Sequence, residues 1–187
     1  MLLVSDGRSW PHYEKIAFRF LFVFFLLFVL FFNNGALFFL RPFELLLKVS
    51  FSDTVAWVGQ HVLSLEGVEY GRANGSGDTA FNYVLLFCIC ILSVLSAAVW
   101  SAMDWRRPAY LKLFYWLTTL IRYYVGLMLI QYGLAKVMGG QFVSPDVVRL
   151  SQSFGESTPM GLAWTFFGFS TGYKWFMAIA EFMGVLL

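Results

Sequence analysis

The chain has 187 residues, of which 59% are hydrophobic and 20% aromatic, and its mean hydropathy is +0.70. Only 13% of its residues are charged, against about 25% in a typical soluble domain. This composition indicates an integral membrane protein, and a net charge of only +2, carried by dispersed basic residues, argues against a nucleic-acid partner.

A long apolar stretch near the amino terminus predicts the first membrane span, at residues 16–40. Ten phenylalanines lie in it, between Phe18 and Phe39. Basic residues precede the stretch, as in a signal peptide, but the apolar run exceeds the about 7–15 residues of a signal h-region and no cleavage motif ends it. We therefore expect a retained signal anchor. Arg41-Pro42 closes the span, because proline removes a backbone donor and clashes with a continuing helix.

Residues 42–80 are predicted to lie outside the spans, as an extra-cytoplasmic segment. Apolar residues recur on one face over residues 52–65, and Ser52 or Asp53 supplies a helix cap. This pattern predicts a short amphipathic helix that lies flat in the membrane interface. The Gly-rich loop that follows contains Asn74-Gly75-Ser76, which fits a glycosylation sequon, a triplet that is common by chance.

The second and third spans are predicted at residues 81–103 and 110–138, with an arginine-rich polar turn between them. In the second span, Ser93, Ala97 and Ser101 recur at every fourth residue. They form a stripe of small side chains that suits close packing of helices.

Residues 139–172 are predicted to be a second extra-cytoplasmic segment, in which Ser144-Pro145-Asp146 and Thr158-Pro159 resemble helix starts. Gly168–Gly172 fits either a GxxxG helix contact or a break before a fourth span at residues 173–187. We favour the break, because Ser, Thr and Gly concentrate there. The last span has 15 residues, fewer than the about 20 needed to cross a bilayer, so we expect a chain truncated at its carboxyl end.

The basic residues predict the orientation in the membrane. Arg8, Lys15 and Arg19 flank the first span, and Arg106 and Arg107 lie in the turn between the second and third spans. Short cytoplasmic segments carry an excess of Lys and Arg, so both places are predicted to be cytoplasmic. The sequence thus predicts an all-α membrane protein: one domain, a four-helix transmembrane bundle with an interfacial amphipathic helix in its outer segment.

Three charged residues inside the apolar segments form the candidate site. Arg122 and Lys136 share one face of the third span, about 21 Å apart, and Glu181 falls between them in predicted depth. A charge at membrane depth is costly and normally has a partner, so we expect Arg122 to pair with Glu181, with Lys136 within reach from the other side. Tyr132 and Gln131 would line the same polar pocket.

The face between the two basic residues carries Gly126, Leu129 and Gly133, which predicts a strip where another helix backbone approaches closely. Two interpretations of the charges stay open. They form a pocket for a quinone head group, an anion or a proton, or they are a buried ion pair that fixes helix register, with Lys136 extending its ammonium group to the interface.

Residues that bind intrinsic cofactors are not indicated. Cys88 and Cys90 lie two positions apart, on opposite helix faces. Neither His12 nor His61 lies in a predicted span, and no zinc spacing or nucleotide motif occurs. Electron transfer by such a chain would use a diffusible quinone or a cofactor held by another subunit.

The later part of the chain resembles a known family. IRYYVGLMLIQYGLAKVM (121–138), QFVSP (141–145), STPMGLAWTFFGFSTGYKWF (157–176) and AEFMGVLL (180–187) together resemble the DoxX-like family of small bacterial membrane proteins. The resemblance implies a four-helix-like membrane bundle. It also implies an association with redox physiology, including thiosulfate:quinone oxidoreductase subunits and partners of secreted superoxide dismutase. It brings no established catalytic motif to any residue of this chain.

The sequence supports two functional hypotheses. The first is a redox-associated, quinone-linked subunit of the bacterial inner membrane, with quinone as its ligand and no intrinsic cofactor. The second is a non-enzymatic structural or assembly subunit of a larger membrane complex. In both, the partners are the lipid bilayer and other membrane-protein subunits, and whether the chain is itself an enzyme stays open.

Overall fold

The computed structural model describes residues 9–71, 78–104 and 106–185. Within these ranges the chain forms seven α-helices, two short 3-10 turns and no strand, which confirms the predicted all-α fold. The chain divides into two compact units, Met1–Ile121 and Arg122–Leu187. The α-helices are α1 (His12–Phe31), α2 (Arg41–His61), α3 (Ala80–Met103), α4 (Leu111–Val137), α5 (Val147–Ser151), α6 (Pro159–Phe169) and α7 (Thr171–Gly184).

Helix α3 forms the centre of the first unit, and both α1 and α2 pack on it. Its buried residues recur at every fourth position and so form one ridge along the helix. The hydroxyl of Ser93, which is fully buried, donates to the carbonyl oxygen of Ile89 at 2.7 Å, so no polar group is left unpaired there. The predicted stripe of small residues is confirmed as a packing surface. The buried residues of the ridge are Phe81, Leu85, Ile89, Ser93 and Ala97.

Helix α1 ends at Phe31, well before the predicted end of the first span at residue 40. The amide group of Asn33 is fully buried, accepts from the backbone N–H of Leu37 at 2.8 Å and donates to its carbonyl oxygen at 3.0 Å. These bonds close a turn in which Asn34 adopts left-handed backbone. Pro42 then stands in the first turn of α2, where no N–H is needed. The prediction that proline closes a span is therefore wrong: here it begins a helix.

Helix α2 is longer than the helix predicted at residues 52–65. Because it begins at Arg41, Ser52 lies inside it, and its hydroxyl donates to the carbonyl oxygen of Val49 at 2.7 Å instead of capping a helix. Val55 is buried in one apolar core with residues of α1 and α3. The predicted apolar face thus packs on protein at Val55. The Asn74-Gly75-Ser76 sequon lies outside the described residues.

The helix starts of the second unit follow the predicted caps. Asp146 caps α5, and Thr158, followed by Pro159 in the first turn, caps α6. Helix α6 ends at Phe169, and the hydroxyl of Ser170 accepts a backbone hydrogen bond in the first turn of α7. The predicted break between these helices is confirmed.

Two helices of the described chain, α3 and α4, are long and apolar enough to cross a membrane, where the sequence predicts four spans. Helix α1 has 20 residues but carries Glu14, Lys15 and Arg19 in its first turns. Helix α7 has 14 residues, about 21 Å at about 1.5 Å per residue, which is less than the hydrocarbon thickness of a bilayer.

Candidate functional site: the Lys136–Glu181 pair

Helix α4 carries a strip of small residues against which α7 packs. A side chain at Gly133 would meet the ring of Phe182 at 3.0 Å and the carbonyl oxygen of Ala178 at 3.3 Å, and one at Gly126 would meet Val185 at 3.7 Å. Residue numbers therefore rise along α7 as they fall along α4, so the two helices run antiparallel. The predicted close approach of another helix backbone is confirmed at Gly133.

This close approach joins two of the charged residues of the candidate site. The Nζ atom of Lys136 donates to Oε1 of Glu181 at 2.6 Å. The lysine side chain is 5% exposed and the glutamate side chain 26%, so the pair is largely shielded from solvent. Each charge offsets the desolvation of the other, which is what makes burial of either one tolerable.

Aromatic rings surround the ammonium group of Lys136. The ring centroid of Tyr132, one turn earlier on α4, lies 5.6 Å from Nζ, and that of Phe142 lies 5.8 Å away. Both distances suit a cation–π interaction. The Phe142 ring also contacts Trp164 and Phe167, with centroid distances of 5.4 and 5.1 Å, so α6 supports the site as well.

Two buried acceptor atoms at this end of α4 have no hydrogen-bond partner among the described residues: Oε2 of Glu181 and Oε1 of Gln141. Gln141 follows α4, and its backbone N–H donates to the carbonyl oxygen of Ala135, the residue before Lys136. Buried polar atoms in proteins are nearly always hydrogen-bonded, so two unpaired acceptors require an explanation. This end of α4 is short of hydrogen-bond donors.

Arg122 does not take part in this site, contrary to the prediction that it pairs with Glu181. It is exposed and lies one helical turn beyond Gly126, which already faces Val185. Because the helices run antiparallel, Glu181 lies near the opposite end of the strip, beside Lys136. The predicted depth of Glu181 depended on counting residues from the start of the last span, whereas its register is set by the glycine contacts with α4.

The site has members that the sequence does not indicate. Gln131 stays exposed on α4, although it is predicted to line the pocket. Gln141 and Phe142 lie near Lys136 instead, in an irregular segment where Phe142 adopts left-handed backbone with φ of 54°. Helical periodicity cannot predict such a segment, and Gly139-Gly140 is the signal that the chain turns there. The predicted residues that the structure brings together are Lys136, Glu181 and Tyr132.

A second buried charge lies in the first unit. The guanidinium group of Arg19, 3% exposed, donates to the hydroxyl groups of Ser101 at 2.7 Å and Tyr110 at 2.8 Å and to the carbonyl oxygen of Asp104. The carboxylate of Asp104 accepts from the Tyr110 hydroxyl at 3.1 Å and pairs with Arg107 at 3.2 Å. The sequence indicates Arg19 only as a topology signal, because its partners come from distant parts of the chain.

The Lys136 site offers carboxylate and amide acceptors, an engaged ammonium group and aromatic surfaces. In the part of the chain that the structure describes, no group of three or more His, Cys, Asp or Glu side chains is placed to hold a metal ion. Cys88 and Cys90 of α3 are free thiols.

Comparisons of the chain with protein-family models, with curated proteins and with solved structures found no match.

Proposed function

We propose that the chain is a multi-pass protein of the bacterial inner membrane. Only 28% of the apolar stretch of α3 and 11% of that of α4 is buried inside the protein. The core helix of a soluble protein would be buried over most of its length, whereas a membrane span exposes apolar side chains to lipid. In this proposal α1 and α7 complete a four-helix bundle within one membrane domain, as the resemblance to the DoxX-like family implies.

Within that membrane protein, we propose a redox-associated function in which the Lys136 site binds a quinol. One observation carries this proposal: two buried acceptors, on Glu181 and Gln141, lack partners at the end of α4 where the shielded ion pair lies. A quinol is a lipid-soluble ring with two hydroxyl donors. Its hydroxyl groups would donate to these acceptors, and its ring would pack on Tyr132 and Phe142.

The two redox forms of the ligand differ in the hydrogen bonds they can make. Quinone carbonyl groups only accept hydrogen bonds, whereas quinol hydroxyl groups also donate. The ammonium group of Lys136 already donates to Glu181. The atoms of the site that lack a partner are therefore hydrogen-bond acceptors. The site therefore favours the reduced form. When the quinol gives its two electrons to a redox cofactor of another subunit, it also releases two protons. The Glu181 carboxylate is placed to receive one of them, and water receives the other.

Ligand binding by the protein in lipid nanodiscs tests this function. Decylubiquinol and decylubiquinone are titrated separately under anaerobic conditions, with binding measured by calorimetry. We expect the quinol to bind about tenfold more tightly, the ratio that one additional hydrogen bond supplies. Gln141→Leu removes one acceptor and leaves the ion pair intact, so it should weaken quinol binding about three- to tenfold.

Gln60→Leu is the matched control, because Gln60 lies exposed on α2 in the first unit. It should leave quinol binding unchanged. Equal affinity for the two redox forms, or a Gln141→Leu variant that folds and binds quinol like the wild type, would contradict the proposal.

A second function, that of a non-enzymatic structural or assembly subunit, is favoured by the Arg19 network. There the buried guanidinium group of Arg19 hydrogen-bonds α1 to Ser101, Asp104 and Tyr110 of the same unit. In this alternative the Lys136–Glu181 ion pair likewise holds α4 and α7 together. This alternative predicts that neither quinol nor quinone binds. It also predicts that Lys136→Leu/Glu181→Leu still folds and co-purifies with its partner subunits, because a buried ion pair can be replaced by apolar residues.

A further inference from the structure

The second unit contains a polar cleft that is distinct from the Lys136 site. It measures about 280 Å³ and lies between the segment leading into α5 and one side of α6. Its walls carry the guanidinium group of Arg149, the indole of Trp164 and the hydroxyl groups of Ser144 and Thr165. Pockets for drug-sized ligands begin at about 300 Å³, so this cleft suits a ligand of few atoms.

One wall of the cleft is a face of α6 with a glycine at each end. Trp164 lies three positions after Gly161, and Gly168 lies seven positions after it, so all three are on one side of the helix. A side chain at Gly168 would collide with the carbonyl oxygen of Val143, and one at Gly161 would collide with Nη2 of Arg149. Because these two positions have no side chain, Val143 and Arg149 of the opposite wall contact the backbone of α6 directly.

Arg149 is held in a fixed position in this wall. Its Nε atom donates to Oγ1 of Thr165 at 3.3 Å, and Nη1 donates to Oε1 of Gln152 at 3.1 Å. Its backbone N–H donates to the carboxylate of Asp146 at 2.8 Å, which caps α5. The Nη2 atom makes no hydrogen bond to any described residue, so the guanidinium group keeps donor capacity while its orientation is set.

The charge around the cleft favours an anion. The Nζ atom of Lys174 donates to the hydroxyl oxygen of Ser144 at 3.0 Å, which places a second cation one hydrogen bond away from the cleft. That hydroxyl group accepts from lysine and so keeps its own hydrogen for a ligand. The one carboxylate in the lining, that of Asp146, accepts the backbone N–H of Arg149 and keeps its negative charge, so the cations of Arg149 and Lys174 outnumber it.

We propose that this cleft binds a small oxyanion, of the class of carboxylate, phosphate or sulfate. Arg149 supplies charge-assisted N–H donors in a fixed plane, the geometry that suits two oxygens of one anion. Ser144 adds an O–H donor, and the indole of Trp164 closes one side. The proposal is independent of quinol binding, since its ligand is an anion and the cationic group that would bind it is Arg149. Trp164 contacts the Lys136 site only through the ring of Phe142.

Calorimetric titration of the whole chain in maltoside detergent tests the site. Sodium phosphate, sodium sulfate and sodium acetate are titrated at constant ionic strength set with sodium chloride, so that nonspecific screening is the same throughout. We expect saturable binding of at least one of the three anions over the chloride background. Repeating the phosphate titration in phosphatidylglycerol and in phosphatidylcholine nanodiscs separates two sources of the anion. Weaker phosphate binding in phosphatidylglycerol assigns the site to an acidic lipid head group, and equal binding assigns it to a free anion.

Three substitutions test the geometry. Arg149→Gln removes the charge and should weaken binding about tenfold or more, because a hydrogen bond to a charged group is lost. Gly161→Ala keeps every charge but displaces Nη2 of Arg149, and it should weaken binding about three- to tenfold. Gly155→Ala is the matched control, since a side chain there meets open space, and it should bind like the wild type.

Thermal unfolding of each variant shows that the fold is retained. Arg149 is exposed, so Arg149→Gln should unfold at the wild-type temperature even if Gly161→Ala does not. The proposal is overturned if none of the three anions binds above chloride. It is also overturned if Arg149→Gln binds anion as well as the wild type does.

Discussion

Arg19 and Lys136 are two cations that the chain buries in different ways. Arg19 is held by two hydroxyl groups and by the carbonyl oxygen of Asp104, the residue that follows α3. Carbonyl groups at a helix carboxyl end are free acceptors with partial negative charge, so a cation is favoured there. Lys136 lies in the last turn of α4, but its partner is a carboxylate on another helix. The burial of Arg19 thus depends on the carboxyl end of α3, whereas the burial of Lys136 depends on the register between α4 and α7.

The Arg19 network predicts that arginine cannot be replaced by lysine at this position. An ammonium group on a flexible stem cannot reach both hydroxyl groups and the carbonyl oxygen together, as the planar guanidinium group does. We expect Arg19→Lys to lower the free energy of unfolding by about 1.5–3 kcal/mol, measured by chemical denaturation in detergent.

Arg106→Lys is the control for Arg19→Lys, because Arg106 is exposed. It should change the free energy of unfolding by less than about 0.5 kcal/mol. If Arg19→Lys is as stable as the wild type, the network of hydrogen bonds does not contribute to stability and Arg19 serves topology alone.

For single residues, the sequence predicts that a charge needs a partner more reliably than it predicts which residue that partner is. Lys136 and Glu181 stand out in the sequence because charge inside an apolar helix requires compensation, and the structure pairs them. Arg122 stands out for the same reason but is exposed. The difference lies in the register of α7 against α4, which is fixed by the close contact of Gly133 with Phe182 and Ala178. A register between distant segments is not encoded in the periodicity of either one.

At the scale of elements, close contact at glycine fixes how α2 meets the loop that follows it. A side chain at Gly59 would lie 2.8 Å from Cγ2 of Val68. Val68 is 1% exposed and belongs to the same apolar core as Val55 of α2. A buried β-branched side chain has few alternative rotamers, so it cannot move aside cheaply.

We therefore predict that Gly59→Ala destabilises the first unit, although alanine is the better helix former. Overpacking at such a site costs about 1–3 kcal/mol, more than the about 1 kcal/mol that alanine gains over glycine in a helix. Val68→Ala in the same chain makes room for the new methyl group. In denaturation experiments the double variant should then be more stable than the sum of the two single changes predicts. Additive effects would show that Gly59 and Val68 are not in contact.

The sequence predicts the start of a helix where a neighbouring side chain caps it. It does not predict the end of a helix that depends on one particular pair of side-chain hydrogen bonds. Asp146 and Thr158 begin helices as their side chains predict, because capping involves residues only a few positions apart. The end of α1 depends instead on two hydrogen bonds between the side chain of Asn33 and the backbone of Leu37. An asparagine near the end of an apolar stretch has many possible partners, so its sequence position does not predict this turn.

At the scale of the whole molecule, one contact places the amino-terminal segment beside the turn between α3 and α4. The backbone N–H of Trp10 donates to the carbonyl oxygen of Pro108 at 2.9 Å. Arg19 reaches Asp104 in the same region, and Arg107 pairs with that residue. Arg19 and Arg107, two of the basic residues from which the sequence predicts a cytoplasmic location, thus lie in the same region of the first unit.

This arrangement predicts which sites are accessible from outside the cell. Helix α3 has 24 residues, about 36 Å at about 1.5 Å per residue, and the hydrocarbon core of a bilayer is about 30 Å thick. If α3 crosses the membrane, Glu69 before it and Arg106 after it lie on opposite sides. Both residues are exposed, so a cysteine introduced at either one can react. The orientation predicted from the basic residues puts Glu69 outside and Arg106 in the cytoplasm.

The measurement uses a background in which Cys88 and Cys90, the cysteines of the chain, are replaced by alanine. A membrane-impermeant maleimide should label Glu69→Cys in intact spheroplasts, and it should label Arg106→Cys only after the membrane is permeabilised. Labelling of Arg106→Cys alone in intact spheroplasts would reverse the orientation and keep α3 as a span. Labelling of both from outside would mean that α3 does not cross the membrane, and its exposed apolar side chains would then have to be covered by protein instead of lipid.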